Sequence, residues 1–219
     1  MTTLNDARVA TALARMYAES DRQMAGLRER GPAERARLHQ ATAQERADAL
    51  SDIYMPVTPA AGRLLYMLVR ATRPATIVEF GMSFGLSALH LAAGVRDNGT
   101  GHVITTELSK AKIAAASRTF AETGLTDLIT IVEGDAVTTL AEVAAPVDLV
   151  LLDGWKELYL PVLRVLEPKL SPGALVIADN TEMSDTKPYL DYVRDPANGY
   201  TSVNFAARDT DSMEISGRV

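Results

Sequence analysis

The sequence predicts an α/β fold, doubly wound around a mostly parallel seven-stranded sheet. An antiparallel C-terminal hairpin closes one sheet edge, and helices precede the whole. Three observations carry this expectation. Short apolar runs with strand character recur at 76–80, 102–106, 128–132, 147–152 and 174–178, and helix-patterned segments near 85–94, 109–123, 136–143 and 156–169 alternate with them. Such alternation calls for parallel strands with helices on both faces. The end of the chain changes character: 201–206 and 213–216 flank an Arg-Asp-Thr-Asp-Ser turn and read as a hairpin. Finally, the first five strands each end at or within three residues of an acid, namely Glu79, Glu107, Asp135, Asp153 and Asp179. Turns favour acids, so one case says little; five on one sheet edge make an electronegative crevice suited to a cationic ligand or a metal.

Taken in order, residues 4–50 read as helix. Leu13, Met16, Tyr17, Met24 and Leu27 recur at helical spacings and form one apolar stripe. Gly31-Pro32 interrupts it, and a second helix is expected from about 33 to 50. Arginines and acids nearly balance here, so the charges read as solvated faces. This 1–50 extension is expected to act as a lid or as the surface of a homodimer, and 52–219 as the core of a single domain. Met55-Pro56-Val57-Thr58-Pro59 is a proline-stiffened connector. Thr58 then caps a helix that Pro59 opens, with Leu64, Leu65, Leu68 and Val69 on its buried face.

Bulk composition narrows the function. With 47% hydrophobic and 23% charged residues the chain reads as a globular enzyme, and a formal charge of −6 argues against nucleic-acid or anionic-membrane partners. The absence of Cys excludes disulfides, thiolate catalysis and zinc–thiolate sites. Asp6, Arg8, Arg15 and Glu19 break up the first twenty residues, so no signal peptide is expected, and the longest apolar run, 64–69, is too short to span a bilayer. A cytoplasmic location is the expectation.

The chemistry concentrates after the fourth and fifth strands. An apolar run ends on Asp153, with Trp155 and Lys156 following; a second run ends on Asp179-Asn180. Ligand crevices of open α/β sheets lie at such carboxyl ends. Asp153, Asp179 and Asn180 would bring three oxygen-bearing side chains together, with Lys156 close by: an oxygen-ligand divalent-metal site inside a methyl-transfer pocket. The first strand runs into Glu79-Phe80-Gly81-Met82-Ser83-Phe84-Gly85-Leu86-Ser87. This is G-x-x-x-G after an acid, not the G-x-G-x-x-G that seats a pyrophosphate, and the acid would repel phosphates. S-adenosylmethionine, with a cationic amino-acid end and an adenosine end, fits better. Glu107 is placed to accept from both ribose hydroxyls, or to stabilise the following helix dipole. Gly134-Asp135-Ala136 either flanks an adenine or is a turn with an Asp cap. Trp155 by default is a packing residue. His39, His90 and His102 pair with no Ser or acid at useful spacing.

Glu79-x-Gly81-x3-Gly85-x-Ser87, Glu107, Gly134-Asp135-Ala136, Asp153-Gly154-Trp155-Lys156 and Asp179-Asn180, in this order, resemble the cation-dependent class I O-methyltransferases, which include catechol and caffeoyl-coenzyme A O-methyltransferases. The resemblance covers roughly 52–219 and implies a Rossmann-like fold. It implies that Asp153, Asp179 and Asn180 hold Mg²⁺ (or Mn²⁺ or Ca²⁺) and that Lys156 is the catalytic base. Val57, Glu79, Gly81, Gly85 and Ser87 would line the methionine and ribose region of S-adenosylmethionine, Glu107 would bind the ribose, and Asp135 and Ala136 would border the adenine. Asp153 and Trp155 would wall the cofactor, with Trp155 and Met55 also facing the methyl acceptor. Two departures bear on that acceptor. Ile53 stands where the catechol enzyme has a Trp, and no acid near residues 204–207 matches the one that fixes the second catechol hydroxyl. The expected acceptor is a small molecule with vicinal oxygens. The alternatives are a nicotinamide-dependent oxidoreductase, which the glycine spacing disfavours, and a silent cofactor-binding protein.

Overall fold

The fold was analysed in a computed structural model that describes residues 2–28, 37, 38, 40–208 and 211–219, with side chains described for these except 24–28 and 208. Seven strands are present: β1 Thr76–Phe80, β2 His102–Glu107, β3 Ile129–Glu133, β4 Val147–Leu152, β5 Leu170–Ala178, β6 Tyr200–Arg208 and β7 Asp211–Arg218. They form one sheet in the order β3-β2-β1-β4-β5-β7-β6. Neighbours among β1 to β5 are parallel, while β7 runs antiparallel to both β5 and β6. Only β7 is therefore reversed. The chain winds outward from β1 through β2 to β3, then returns to build β4 and β5 on the other side, which puts the topological switch between β1 and β4.

The helices are α1 Ala7–Arg28, α2 Ala43–Ala49, α3 Pro59–Thr72, α4 Leu86–Asn98, α5 Lys110–Thr123, α6 Ala136–Thr139, α7 Tyr159–Leu166 and α8 Lys187–Arg194. Because strand side chains alternate between faces, the central strands feed two cores. Ile77, Leu149, Leu151 and Ile177 pack with α1, α3, α4 and α5. Val78, Val150, Leu152 and Val176 pack with α6, α7 and α8. The continuous apolar character of 147–152 and 174–178 is explained by burial on both sides.

Of the expected N-terminal stripe Met16 is buried and Leu13 and Tyr17 pack half-buried on this core, beside Val9 and Ala12, which the stripe did not include; Arg15 forms a bidentate pair with Glu122 of α5 at 2.8 Å. The side chains of Met24 and Leu27, and His39, lie outside the described residues. Of the expected second helix, α2 is present from 43, opened by a reciprocal capping box between Thr42 and Glu45; 33–36 lie outside the described residues. Thr58 caps α3 as expected, accepting from Ala61 N, with Pro59 at its first position.

Other differences from the sequence reading are local. The expected helix 156–169 is a 3₁₀ turn, Lys156–Leu158, then α7, then a second 3₁₀ turn around Pro168. Segment 136–143 is one short turn, α6, continued as 3₁₀. β5 starts four residues earlier than the apolar run, since Pro172 and Gly173 are absorbed by a register shift against β4 rather than ending the strand.

Gly62 of α3 shows why one helical glycine is required. A Cβ there would lie 2.6 Å from the imidazole of His90, itself buried and held at 2.8 Å to the Leu86 carbonyl. Replacing an interior helical Gly by Ala normally stabilises by up to about 1 kcal/mol. Here overpacking against a fixed ring, about 1–3 kcal/mol, outweighs it. Gly62→Ala is expected to lower the melting temperature; a rise would show that the ring yields.

Candidate active site

One row of paired residues, Val132–Thr106–Phe80–Leu152–Ala178, crosses the sheet near its carboxyl edge. The residues just beyond it are Glu107, Gly81, Asp153 and Asp179. The amides continue the lateral pairing past the strands: Asp153 N donates to Phe80 O at 2.9 Å, Asp179 N to Leu152 O at 3.1 Å and Gly134 N to Glu107 O at 3.0 Å. Asn180 is left-handed, with φ 57°, a conformation Asn tolerates. It breaks strand alternation, so Asp179 and Asn180 need not point to opposite faces.

Above this edge lies a cavity of about 360 Å³. Glu107, Asp135 and Ala136 line its β2–β3 end, Gly81 its middle, and Asp153, Trp155, Lys156 and Asn180 its β4–β5 end, with Met55 at the rim. Not every expected residue reaches it. Asp179 lies behind the wall, 1% exposed, and Val57 and Glu79 are wholly internal. Ser87 lines a small side recess shared with Gly81 and Asp153. Gly85, left-handed at φ 88°, serves packing: a Cβ would meet the Phe120 ring at 2.6 Å. Gly81, at φ 98°, has Gly154 backbone where its Cβ would go, so the β1 and β4 turns touch only because both are glycine.

The polar groups are tightly engaged. Glu107 accepts from Leu108 N and Ser109 N through Oε1 and from Ser83 N through Oε2, each at 2.8 Å. It thus anchors both the glycine loop and the entry to α5, and of a carboxylate's roughly four acceptor positions one remains. Asp135 caps α6, accepting from Thr138 N at 3.1 Å, as the turn-and-cap reading expects, and it also lines the cavity. Lys156 Nζ donates to Asp153 Oδ1 at 3.2 Å and to the Tyr159 hydroxyl at 2.7 Å, and Tyr159 in turn donates to the Asp179 carbonyl at 2.9 Å. Burial, reinforced by Asp153 and Asp179, pushes the Tyr159 phenol well above its ordinary range, so it stays a donor. Burial also pushes the Asp153 carboxyl up to about 7, with Lys156 opposing and Asp179 and Glu79 reinforcing. Among the described residues no three His, Asp or Glu side chains gather as a metal cluster; Asp153 and Asn180 line the cavity, and Asp179 lies behind them.

Residues 78–181 match the family profile of a methyltransferase domain. The core of this chain is thus similar to methyltransferase domains. A probable O-methyltransferase of Mycobacterium tuberculosis is 32% identical over 144 residues, 61% of this chain and 60% of that one. The catechol O-methyltransferase of Mus musculus is 29% identical over 147 residues, 64% of this chain and 55% of that one. The chain thus spans three fifths or less of the length of these curated relatives. An O-methyltransferase from Bacillus cereus, solved in complex with SAH, shares the fold with a TM-score of 0.68 at 20% identity, covering 82% of this chain and 92% of that chain. Among the described residues no helix is long and apolar enough to cross a membrane.

The site also holds residues that sequence reasoning passed over. Lys112 is 2% exposed yet lines the cavity, donating to Ser83 Oγ at 3.2 Å; burial lowers its pKa, with Glu107 opposing. Its signal was available, because Lys112, Ala116, Thr119, Phe120 and Thr123 form the buried helical face of α5. Tyr54 stacks on Phe84 of the glycine loop at 4.0 Å between centroids and supplies an aromatic wall where Ile53 does not. Arg46 of α2 lies 4.5 Å above the Trp155 ring and pairs with Glu157, bringing the N-terminal extension over the site. No local pattern announces that contact.

Two outcomes follow from this geometry. Burial raises Glu79 to about 7, with Thr105 Oγ1, at 2.5 Å, and Ser87 opposing and Glu107 reinforcing. An acid whose folded pKa exceeds its unfolded value binds more protons when folded, so stability falls as pH rises from about 4.5 to 7. Glu79→Gln should remove up to roughly 3 kcal/mol of that decline, read as a flatter melting temperature across this window; an unchanged slope would contradict it. Trp155 is the sole Trp of the chain. Its emission should shift red and become more quenchable by acrylamide in Arg46→Ala, whereas an unaltered spectrum would mean that α2 does not cover it in solution.

Proposed function

We propose that the protein transfers a methyl group from S-adenosylmethionine to a hydroxyl of a small molecule with adjacent oxygens, assisted by a divalent cation, Mg²⁺ by preference. The observation that carries this reading is that one cavity spans the sheet edge from β3 to β5, joining an adenosine-compatible end to an acceptor end. Strands lie about 4.8 Å apart, so these ends are separated by roughly 19 Å, enough for an extended cofactor and an acceptor in line. The relatives' printed names, and the SAH in the Bacillus cereus structure, support the cofactor and the reaction class.

The residues present fit a divalent cation. Asp153, Asp179 and Asn180 offer only hard oxygen ligands, the chemistry Mg²⁺ selects. Burial raises the Asp153 carboxyl, and Asp179 and Glu79 add a negative field that a cation would relieve. When bound, such a cation acts as a Lewis acid that eases ionisation of an acceptor hydroxyl. Lys156 lies where it can take the hydroxyl proton on Nζ once neutral, and the buried Tyr159 hydroxyl fixes that nitrogen in place. Met55, Trp155, Leu158 and Met183 make the acceptor end apolar, which orients a flat acceptor and excludes water. Rate enhancement then comes chiefly from aligning oxygen, methyl and sulfur.

Calorimetry should detect S-adenosylmethionine binding and none of NAD. In a screen of vicinal dihydroxy aromatics with labelled cofactor, Asp179→Ala is expected to lose turnover while retaining SAH affinity within a few-fold. Turnover by that variant in the presence of a chelator would defeat the cation-assisted mechanism, and NAD binding in place of the sulfonium would defeat the reading as a whole.

A further inference from the structure

Asn180 is the weakest of the three oxygen donors, and the structure shows what decides whether it donates at all. We propose that Asp211 is a positioning residue that sets the orientation of the Asn180 amide, so that its carbonyl oxygen rather than its nitrogen is offered to a divalent cation. This rests on the cation reading above.

Strand β7 runs antiparallel to its neighbour β5. Ala178, the last residue of β5, pairs with Glu214 of β7, so the residues before Glu214 run on past the carboxyl edge of β5. Thr181 N donating to Ser212 O at 3.0 Å continues that pairing beyond the strand. The overhang delivers Asp211 to Asn180, whose Nδ2 donates to Asp211 Oδ2 at 2.5 Å. Ser212 N donates to Asp211 Oδ1 at 2.9 Å, which fixes the carboxylate from its other side.

A carboxylate only accepts, so the amide prong facing it must be the NH₂. The reverse orientation would set two acceptors against each other and leave the NH₂ without this charge-assisted bond. Nitrogen and oxygen occupy opposite prongs of one planar group, so fixing the first fixes the second, on the side away from Asp211. An amide nitrogen is no ligand for a hard cation. With the amide held this way Asn180 adds an oxygen to those of the Asp153 and Asp179 carboxylates; turned over, it adds none. Outer carboxylates that orient ligands have this effect in metal sites generally. Asp211 itself lies 31 residues from Asn180, outside the Asp-Asn motif, so nothing in the motif identifies it.

The test is titration of Mn²⁺ into the full-length, SAH-saturated protein, following free Mn²⁺ by electron paramagnetic resonance. Four proteins are compared: wild type, Asp211→Ala, Asn180→Asp and the double variant. Asp211→Ala should weaken Mn²⁺ binding by about 10–100-fold. In the Asn180→Asp background the same replacement should cause no loss, because a carboxylate presents oxygen on both prongs. SAH affinity is expected to be equal in all four and reports that each is folded. Wild-type affinity in Asp211→Ala would overturn the proposal. So would an equal loss in both backgrounds, which is the signature of a charge acting at a distance. A wild type that binds SAH but not Mn²⁺ would overturn the cation reading itself and this inference with it, whereas Asp211→Ala failing to weaken a wild-type site overturns the positioning role alone.

Discussion

The site depends on lateral registration at the carboxyl edge of the sheet. Phe80, Leu152 and Ala178 sit side by side in the ladder, and the amides of Asp153 and Asp179 extend it by one more rung. Backbone bonds therefore fix where the two carboxylates begin, before any side-chain contact is considered. A slip of one residue in β4 or β5 would send those side chains to the opposite face and their apolar neighbours out of their cores. The two-sided core is what forbids that slip: Leu149 and Leu151 belong to one helical layer, Val150 and Leu152 to the other. Packing thus guards the chemistry, and the core residue Tyr159 reaches it directly through Lys156.

The same registration imposes an electrostatic cost. Asp153, Asp179 and Glu79 are brought together in a desolvated region, and burial holds both Asp153 and Glu79 up to about 7. Isolated carboxyls there would weaken the fold, and the structure offsets the effect locally. Lys156 lies against Asp153, Thr105 donates to Glu79, and Tyr159 ties Lys156 to the backbone of Asp179. Polarity concentrated against stability at one place is the usual mark of a functional region. In this domain it coincides with the cavity wall.

Much of the architecture was legible because it follows from periodicity. Five strands, the alternating helices and the closing hairpin fall where apolar runs and turn residues put them, since burial on both faces writes a continuous apolar signature. The acids at the strand ends were legible for the same reason: a strand that stops abruptly marks the sheet edge. Other features had no local trace. Pro172 and Gly173 read as a break but were absorbed by a register shift, because tertiary pairing overrode a local preference. The inward Lys112 was overlooked because a lysine on a helix is ordinarily solvated, although the spacing of its apolar neighbours placed it inside. Glu79 and Asp179 were expected at the ligand surface and lie behind it, since a strand-end position specifies the edge but not the depth. Contacts such as Arg46 on Trp155 or Asp211 on Asn180 join segments more than thirty residues apart, and no pattern within either segment encodes them.

These long-range contacts divide the cavity into two mechanically different halves. Glu107, Gly81 and Asp135 are built on β1 to β3 and held by backbone donors or caps, so that end is as rigid as the sheet. The β4–β5 end gathers Met55 from the connector, Trp155 under α2, Met183 from the loop after β5 and Asp211 from the hairpin. Met55 and Met183 stand 42% and 51% exposed at the rim, flexible thioether chains on segments outside the strands. Substitutions there leave the registration of Asp153 and Asp179 untouched, while substitutions at the other end alter the glycine loop and the entry to α5 together. A site built this way can vary at one end without altering the other, because the two ends draw on different classes of contact.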